Sequence, residues 1–212
     1  MLRAQLFCVW EELSEDLGLN ERDSLLLWSE IENKHTGRNR YYHNLKHLGT
    51  MMDEALRFKD SIEQLSVLKL SIFYHDIIYN PLRKDNELRS AERMKSRLGK
   101  LGVATETIDR SFDQILLTKG HQLKESSTSD DEYFLDFDLT VLGEDWLVYA
   151  EYAKQIRKEY WIFPAKTYKE GRKKALASFL NRESIYLTPA FRKTREEQAR
   201  ANLQREIDEF LT

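Results

Sequence analysis

Apolar residues recur along most of this chain at intervals of three and four, the period of an amphipathic helix. Leu6, Val9, Trp10, Leu13 and Leu17 share a face over about residues 2–17, and Gly18 stops the run. Leu25, Trp28 and Ile31 do the same from Asn20 to about Lys34. Beyond Gly37 and the polar loop Arg38-Asn39-Arg40, a third stripe passes through His47, Met51, Ala55 and Phe58, with Leu48 and Met52 beside it. The fourth run is the most apolar (Leu65, Val67, Leu68, Leu70, Ile72, Phe73) and leads into His75-Asp76-Ile77-Ile78-Tyr79-Asn80-Pro81. At helical spacing Leu68, Ile72, His75, Asp76 and Tyr79 fall on one face. Asn80-Pro81 breaks the chain. A helix then begins near Asp85-Asn86, with Asn86 as N-cap and an inward face of Glu87, Ala91, Met94 and Leu98. The next covers about residues 105–118 with Ile108, Phe112, Ile115 and Leu116 inward, and Gly120 is its expected C-terminal cap.

Lys124 to Asp131 reads as a surface loop leading into a helix N-terminus. In that helix Phe134, Leu135, Asp138, Val141 and Leu142 share the apolar face, which sets Asp136 on the flank with Glu132 and Thr140. The last third reads as architecture. An aromatic helix spans about residues 144–162 (Trp146, Tyr149, Tyr152, Ile156, Tyr160), and a basic one runs from Lys166 to Asn181 with Tyr168, Ala175, Phe179 and Leu180 inward. Arg172-Lys173-Lys174 is expected to be a solvated face. After Ile185-Tyr186-Leu187-Thr188-Pro189 a final helix turns Ala199, Leu203, Ile207 and Phe210 inward. No segment alternates with period two, and three prolines and eight glycines in 212 residues fit long helices with few turns. The expectation is a single all-α domain, residues 1–212, with helices 146–212 packing on a core of about residues 25–145.

Composition narrows the function classes. With 33% charged residues and a net charge of -3, the chain lacks the basic excess of nucleic-acid-binding proteins. No apolar run approaches the roughly 20 residues needed to span a bilayer. The first 17 residues mix apolar and acidic positions, unlike the uncharged core of a signal peptide. One cysteine, Cys8, excludes an internal disulfide and a cysteine-based zinc site, and it reads as a packed helix residue beside Val9. A soluble cytoplasmic protein is expected; the oligomeric state is not legible.

The candidate chemistry lies where ligand-type residues interrupt apolar stripes. A buried carboxylate is costly without hydrogen-bond donors or a metal ion. A hydrogen-bonded core pair would account for His75-Asp76 taken alone. His47 interrupts a second stripe, with His43 four residues earlier, and Asp138 interrupts a third. Two imidazoles and two carboxylates directed at one interior suit Mn²⁺, Fe²⁺, Mg²⁺ or Zn²⁺. For Glu87, favourable charge at a helix N-terminus explains the residue equally well, and His121 at a helix mouth is explained by the helix dipole.

The order His47 … His75-Asp76 … Asp138 resembles the HD-domain superfamily of metal-dependent phosphohydrolases. Further stretches are similar to a bacterial subgroup of predicted metal-dependent HD phosphohydrolases: Tyr42-His43-Asn44, Asp85-Asn86-Glu87 with Ser90-Ala91, Thr118-Lys119-Gly120-His121, Asp136-Phe137-Asp138-Leu139 and, near the end, Ile185-Tyr186 with Ala199-Arg200-Ala201-Asn202-Leu203. The resemblance runs from about residue 25 onward. Asn80 departs from it, standing where an aspartate is expected before the proline. It implies a helical bundle of HD type in which His47, His75, Asp76 and Asp138 ligate a divalent ion (Mn, Fe, Mg, Zn or Co), with His43 and His121 available to a second. His35 belongs to none of these motifs and is expected at the surface. Such an ion acidifies bound water and polarises a phosphoryl oxygen. Asp76 would hold the attacking water or bridge two metals, Glu87 would position or deprotonate that water, and Arg40 and Lys119 would balance phosphate charge. The expected substrate is a nucleotide or another small phosphorylated compound. The alternative is a non-catalytic sensor that binds metal or nucleotide on the same fold.

Overall fold

The computed structural model describes residues 3–209, which fold into ten α-helices with three short 3₁₀ turns and, among the described residues, no strand. The helices are α1 (Arg3–Asp16), α2 (Glu21–His35), α3 (Leu45–Arg57), α4 (Leu65–Tyr74), α5 (Asn86–Leu98), α6 (Thr105–Leu117), α7 (Ser129–Asp138), α8 (Trp146–Glu159), α9 (Ala165–Leu180) and α10 (Pro189–Glu209). The all-α class expected from periodicity is the observed one. Phe210 lies outside the described residues. No described helix is long and apolar enough to cross a membrane. Backbone contacts gather into two units, one reaching to Phe137 and one beginning at Asp138.

The first unit is built around α4. Every residue from Val67 to Tyr74 is buried, as befits a helix that is apolar all round. It packs against α1, α3, α5 and α6. Trp10 and Trp28 both meet the Phe73 ring edge-on, at 5.3 and 6.3 Å. The start of α4 is fixed from α7, where the buried Asp130 carboxylate accepts the N–H groups of Glu63 (2.9 Å) and Gln64 (2.8 Å). The residue lies in the stretch expected to be a surface loop, and its burial follows from this distant capping role.

The end of α4 differs from the expectation. The helix stops at Tyr74, so His75 is its C-cap and Tyr79 does not share a helical face with it. The chain is drawn off towards α5 instead. Asn86 is not the N-cap of α5, a place taken by Asp85. Its buried side chain accepts the Asn80 N–H (3.1 Å) and donates to the Asn80 carbonyl (2.9 Å). Ser90 holds Ile78 in the same two-way fashion. After α6 the left-handed residue is His121 (φ 47°), not Gly120, and its N–H bonds the Leu117 carbonyl at 2.9 Å. Cys8 sits on α1 but is exposed.

In the second unit α10 crosses the 3₁₀ turn of residues 140–143. Asn202 is 1% exposed and donates to the carbonyls of Leu142 (2.9 Å) and Glu144 (2.7 Å). The Tyr186 hydroxyl donates to Leu139 O at 3.1 Å, and Arg195 pairs with Glu144 at 2.6 Å. Arg200 ties the α9–α10 connection by donating to the carbonyls of Leu180, Arg182 and Glu183. Arg172 departs from the expected solvated face. It is nearly buried and forks onto the Glu206 carboxylate at 2.9 and 3.0 Å, while Lys173 and Lys174 stay exposed. Gly143 lies so close to α10 that an added Cβ would fall 2.6 Å from Arg195 Cβ and 2.9 Å from its carbonyl oxygen. Gly143→Ala is therefore expected to destabilise the protein by about 1–3 kcal/mol, because backbone must move to admit the methyl group; urea unfolding measures it.

Candidate metal centre

Two local devices bring the site together. The first is the N-terminus of α3, where Asn44 accepts the Lys46 N–H at 2.8 Å and donates to the Tyr41 carbonyl at 2.8 Å. This places His47 in the first turn, 4% exposed, with Tyr42 against its ring at 4.9 Å. The second is the end of α4. His75, 1% exposed, is within 2.8 Å of the Ile72 carbonyl through Nδ1. A carbonyl oxygen only accepts, so Nδ1 carries a proton, and in the neutral ring Nε2 is then the nitrogen with the lone pair.

His75 Nε2 faces His47 Nε2 at 3.2 Å and Asp76 Oδ2 at 3.2 Å. A nitrogen lone pair and a carboxylate oxygen at this distance repel unless a proton or a cation lies between them. The three donor atoms lie within 4.8 Å of one another. Two nitrogens each about 2.1 Å from an ion would stand roughly 3.0–3.4 Å apart at octahedral to tetrahedral angles. The residues therefore fit a divalent metal on distance, donor type and tautomer. Holding a histidine by its other ring nitrogen is also how metal-binding imidazoles are oriented.

Arg40 secures the cluster from behind. Its guanidinium donates to the carbonyls of His43 (3.1 Å), Asp76 (2.7 Å) and Ile77 (3.2 Å), binding the segment before α3 to the segment after α4. It also lies over the Tyr79 ring at 5.2 Å, and that ring stacks on His43 at 4.2 Å. His43 Nε2 is 3.8 Å from Asp76 Oδ2, both side chains being largely buried. The sequence suggested phosphate binding for Arg40; the geometry gives it a clamping task, with three donors committed to backbone.

The fifth histidine corrects the sequence reading. His35 is fully buried, one turn beyond Ile31 on the stripe Ser24, Leu27, Trp28, Ile31 of α2. Its Nδ1–H bonds the Ile31 carbonyl at 2.8 Å and its Nε2 has no hydrogen-bond partner. Burial, helped by the positive charge of Arg40, pushes its pKa down from 6.5 to about 3. The i+4 spacing from Ile31 was the available signal.

The remaining expected residues are placed as follows. Glu87 is half-buried in the first turn of α5, Lys119 is exposed, and His121 is half-buried in its left-handed conformation; none belongs to the three-donor cluster. Asp138 is half-buried, ends α7 and begins the second unit. Asp136, expected on the flank, is fully buried. Because α7 stops at Asp138, the helical spacing to Val141 and Leu142 does not carry through. No family model, no curated protein and no solved structure matches the chain.

Two outcomes follow from this geometry. Arg40→Lys keeps the charge but loses the fork that reaches three carbonyls, so metal affinity should fall about 10–100-fold with helicity intact; competition against a coloured chelator reads it. For His35 the sign is set by proton counting. The unfolded chain binds its proton near pH 6.5 and the folded one only near pH 3. Stability should therefore fall as the pH drops through this window, by up to about 1.4 kcal/mol per unit from this group. His35→Gln should show a shallower acid slope in urea midpoints measured between pH 7 and 4.

Proposed function

We propose that the chain is a metal-dependent phosphohydrolase of the HD type, acting on a phosphoester of a nucleotide or another small phosphorylated compound. One observation carries the reading: ring nitrogens of two buried histidines and a carboxylate oxygen converge within 4.8 Å of one another. His47, His75 and Asp76 would hold the ion. A divalent ion in such a set supplies an acidified water and a polarised phosphoryl oxygen.

The protein's own groups account for the rest of the reaction. Water adds at phosphorus, the ester P–O bond breaks, and the alcohol leaves with the proton that water gave up. Asp76 is the most solvent-accessible of the three donors, so the carboxylate oxygen it does not turn to the ion would accept the proton of an incoming water. His43, whose Nε2 is 3.8 Å from the Asp76 carboxylate, can pass the proton on. Glu87 and Lys119 retain the parts suggested by type and position, handling water and balancing phosphate charge. Arg40 works through the backbone it holds.

The test is turnover of p-nitrophenyl phosphate and a panel of nucleoside monophosphates after chelation and re-addition of Mn²⁺ or Co²⁺. Activity should vanish on chelation, return with the ion, and fall at least about a hundredfold in Asp76→Asn and His75→Ala. Activity that survives chelation would exclude the mechanism. Metal binding without turnover of any compound would leave the sensor reading.

A further inference from the structure

The second unit contains a cavity of about 310 Å³ between α8, α9 and α10. That is the lower end of the range of small-molecule sites, about 300–1,000 Å³. Its shape follows from the sequence of α8. Trp146, Ala150, Ala153 and Arg157 stand at i, i+4, i+7 and i+11, so they share one face about 16 Å long. The face begins with an indole, ends with a guanidinium and has only methyl groups between. Ala165 opposes it from α9. Three alanines at helix–helix positions leave a gap that larger side chains would have filled.

Two aromatic walls and a fixed polar floor complete the slot. Arg205 lies over the Trp146 ring at 3.8 Å, and Arg157 lies over the Tyr168 ring at 4.7 Å. Arg157 also donates to the carbonyls of Tyr160 (2.7 Å) and Phe163 (3.1 Å), which holds its charge in place. The floor is Glu206, 5% exposed, whose carboxylate is already matched by Arg172 and by the Tyr149 hydroxyl. With Glu206 neutralised in this way, the lining charges are Lys154, Arg157 and Lys169 against Glu209, a balance of three to one.

The geometry points to a binding site in the second unit for a small anion carrying a flat ring, the chemistry of a nucleoside monophosphate. The ring would lie over the alanines between Trp146 and Tyr168, and the phosphate would meet the Lys154 and Arg157 end. The residues used belong to the second unit alone. The inference therefore stands whether or not the His47, His75 and Asp76 cluster hydrolyses phosphoesters.

Equilibrium binding of AMP to the full, chelator-treated chain tests it, with inorganic phosphate as competitor and circular dichroism to check folding. The expected result is the same AMP affinity in wild type and in His75→Ala. Ala153→Leu, which fills the slot, and Lys154→Glu, on exposed surface, should each bind about tenfold more weakly. Inorganic phosphate at equal concentration should not displace AMP, because the ring contributes. No binding at millimolar AMP would overturn the site, as would loss of binding in His75→Ala. Affinity unchanged in Lys154→Glu would overturn it even if Ala153→Leu failed to fold.

Discussion

A helix that is buried on every side has to end inside the protein, and its last carbonyls must find donors there. The C-terminus of α4 meets this constraint with the same groups that make the candidate site. Ser71 O takes the His75 N–H, Ile72 O takes the His75 ring, and the carbonyls just beyond, of Asp76 and Ile77, take Arg40. A cation and an imidazole at a helix C-terminus also suit its partial negative charge. Capping α4 with the His75 ring fixes the ring's orientation, and that orientation turns Nε2 towards His47 and Asp76. Site geometry here is a consequence of helix termination.

The second unit solves a related problem with charge. Arg172 and Glu206 are largely withdrawn from water and bond one another in a fork, with Tyr149 on the same carboxylate. Burial alone would oppose both charges. The partners reverse the outcome for Arg172, whose pKa is raised. Removing one member of such a pair is expected to cost about 3–5 kcal/mol, since the other charge is left buried alone. The same carboxylate floors the slot between α8, α9 and α10, so the packing of this unit and its cavity share one residue.

The helices were legible in the chain because their apolar faces repeat at three and four residues, and most ran within a few residues of expectation. What periodicity could not carry was any role set by a distant partner. Arg40 answers to carbonyls 36 and 37 positions away, Arg172 to Glu206, and Asp130 to the start of α4. None of these leaves a local trace. His35 was misjudged for a different reason: it stands at the last position of α2, where a stripe read only through Ile31 stops short. Asp136 and Asp138 were ranked by a helix continued past its end. His47, His75 and Asp76 were readable because a histidine or an acid on an apolar face is chemically conspicuous, and the structure brings these three together.

If these three side chains hold one cation, that ion must stabilise the fold. Thermal unfolding of the chelated chain with and without Mn²⁺ tests it most directly. An ion that binds only the folded state raises the midpoint in proportion to its affinity. A clear rise is expected for wild type and none for His47→Ala or Asp76→Asn, each verified as helical without metal. A wild-type midpoint unmoved by saturating Mn²⁺, Co²⁺ and Zn²⁺, or an equal rise in all three proteins, would contradict it.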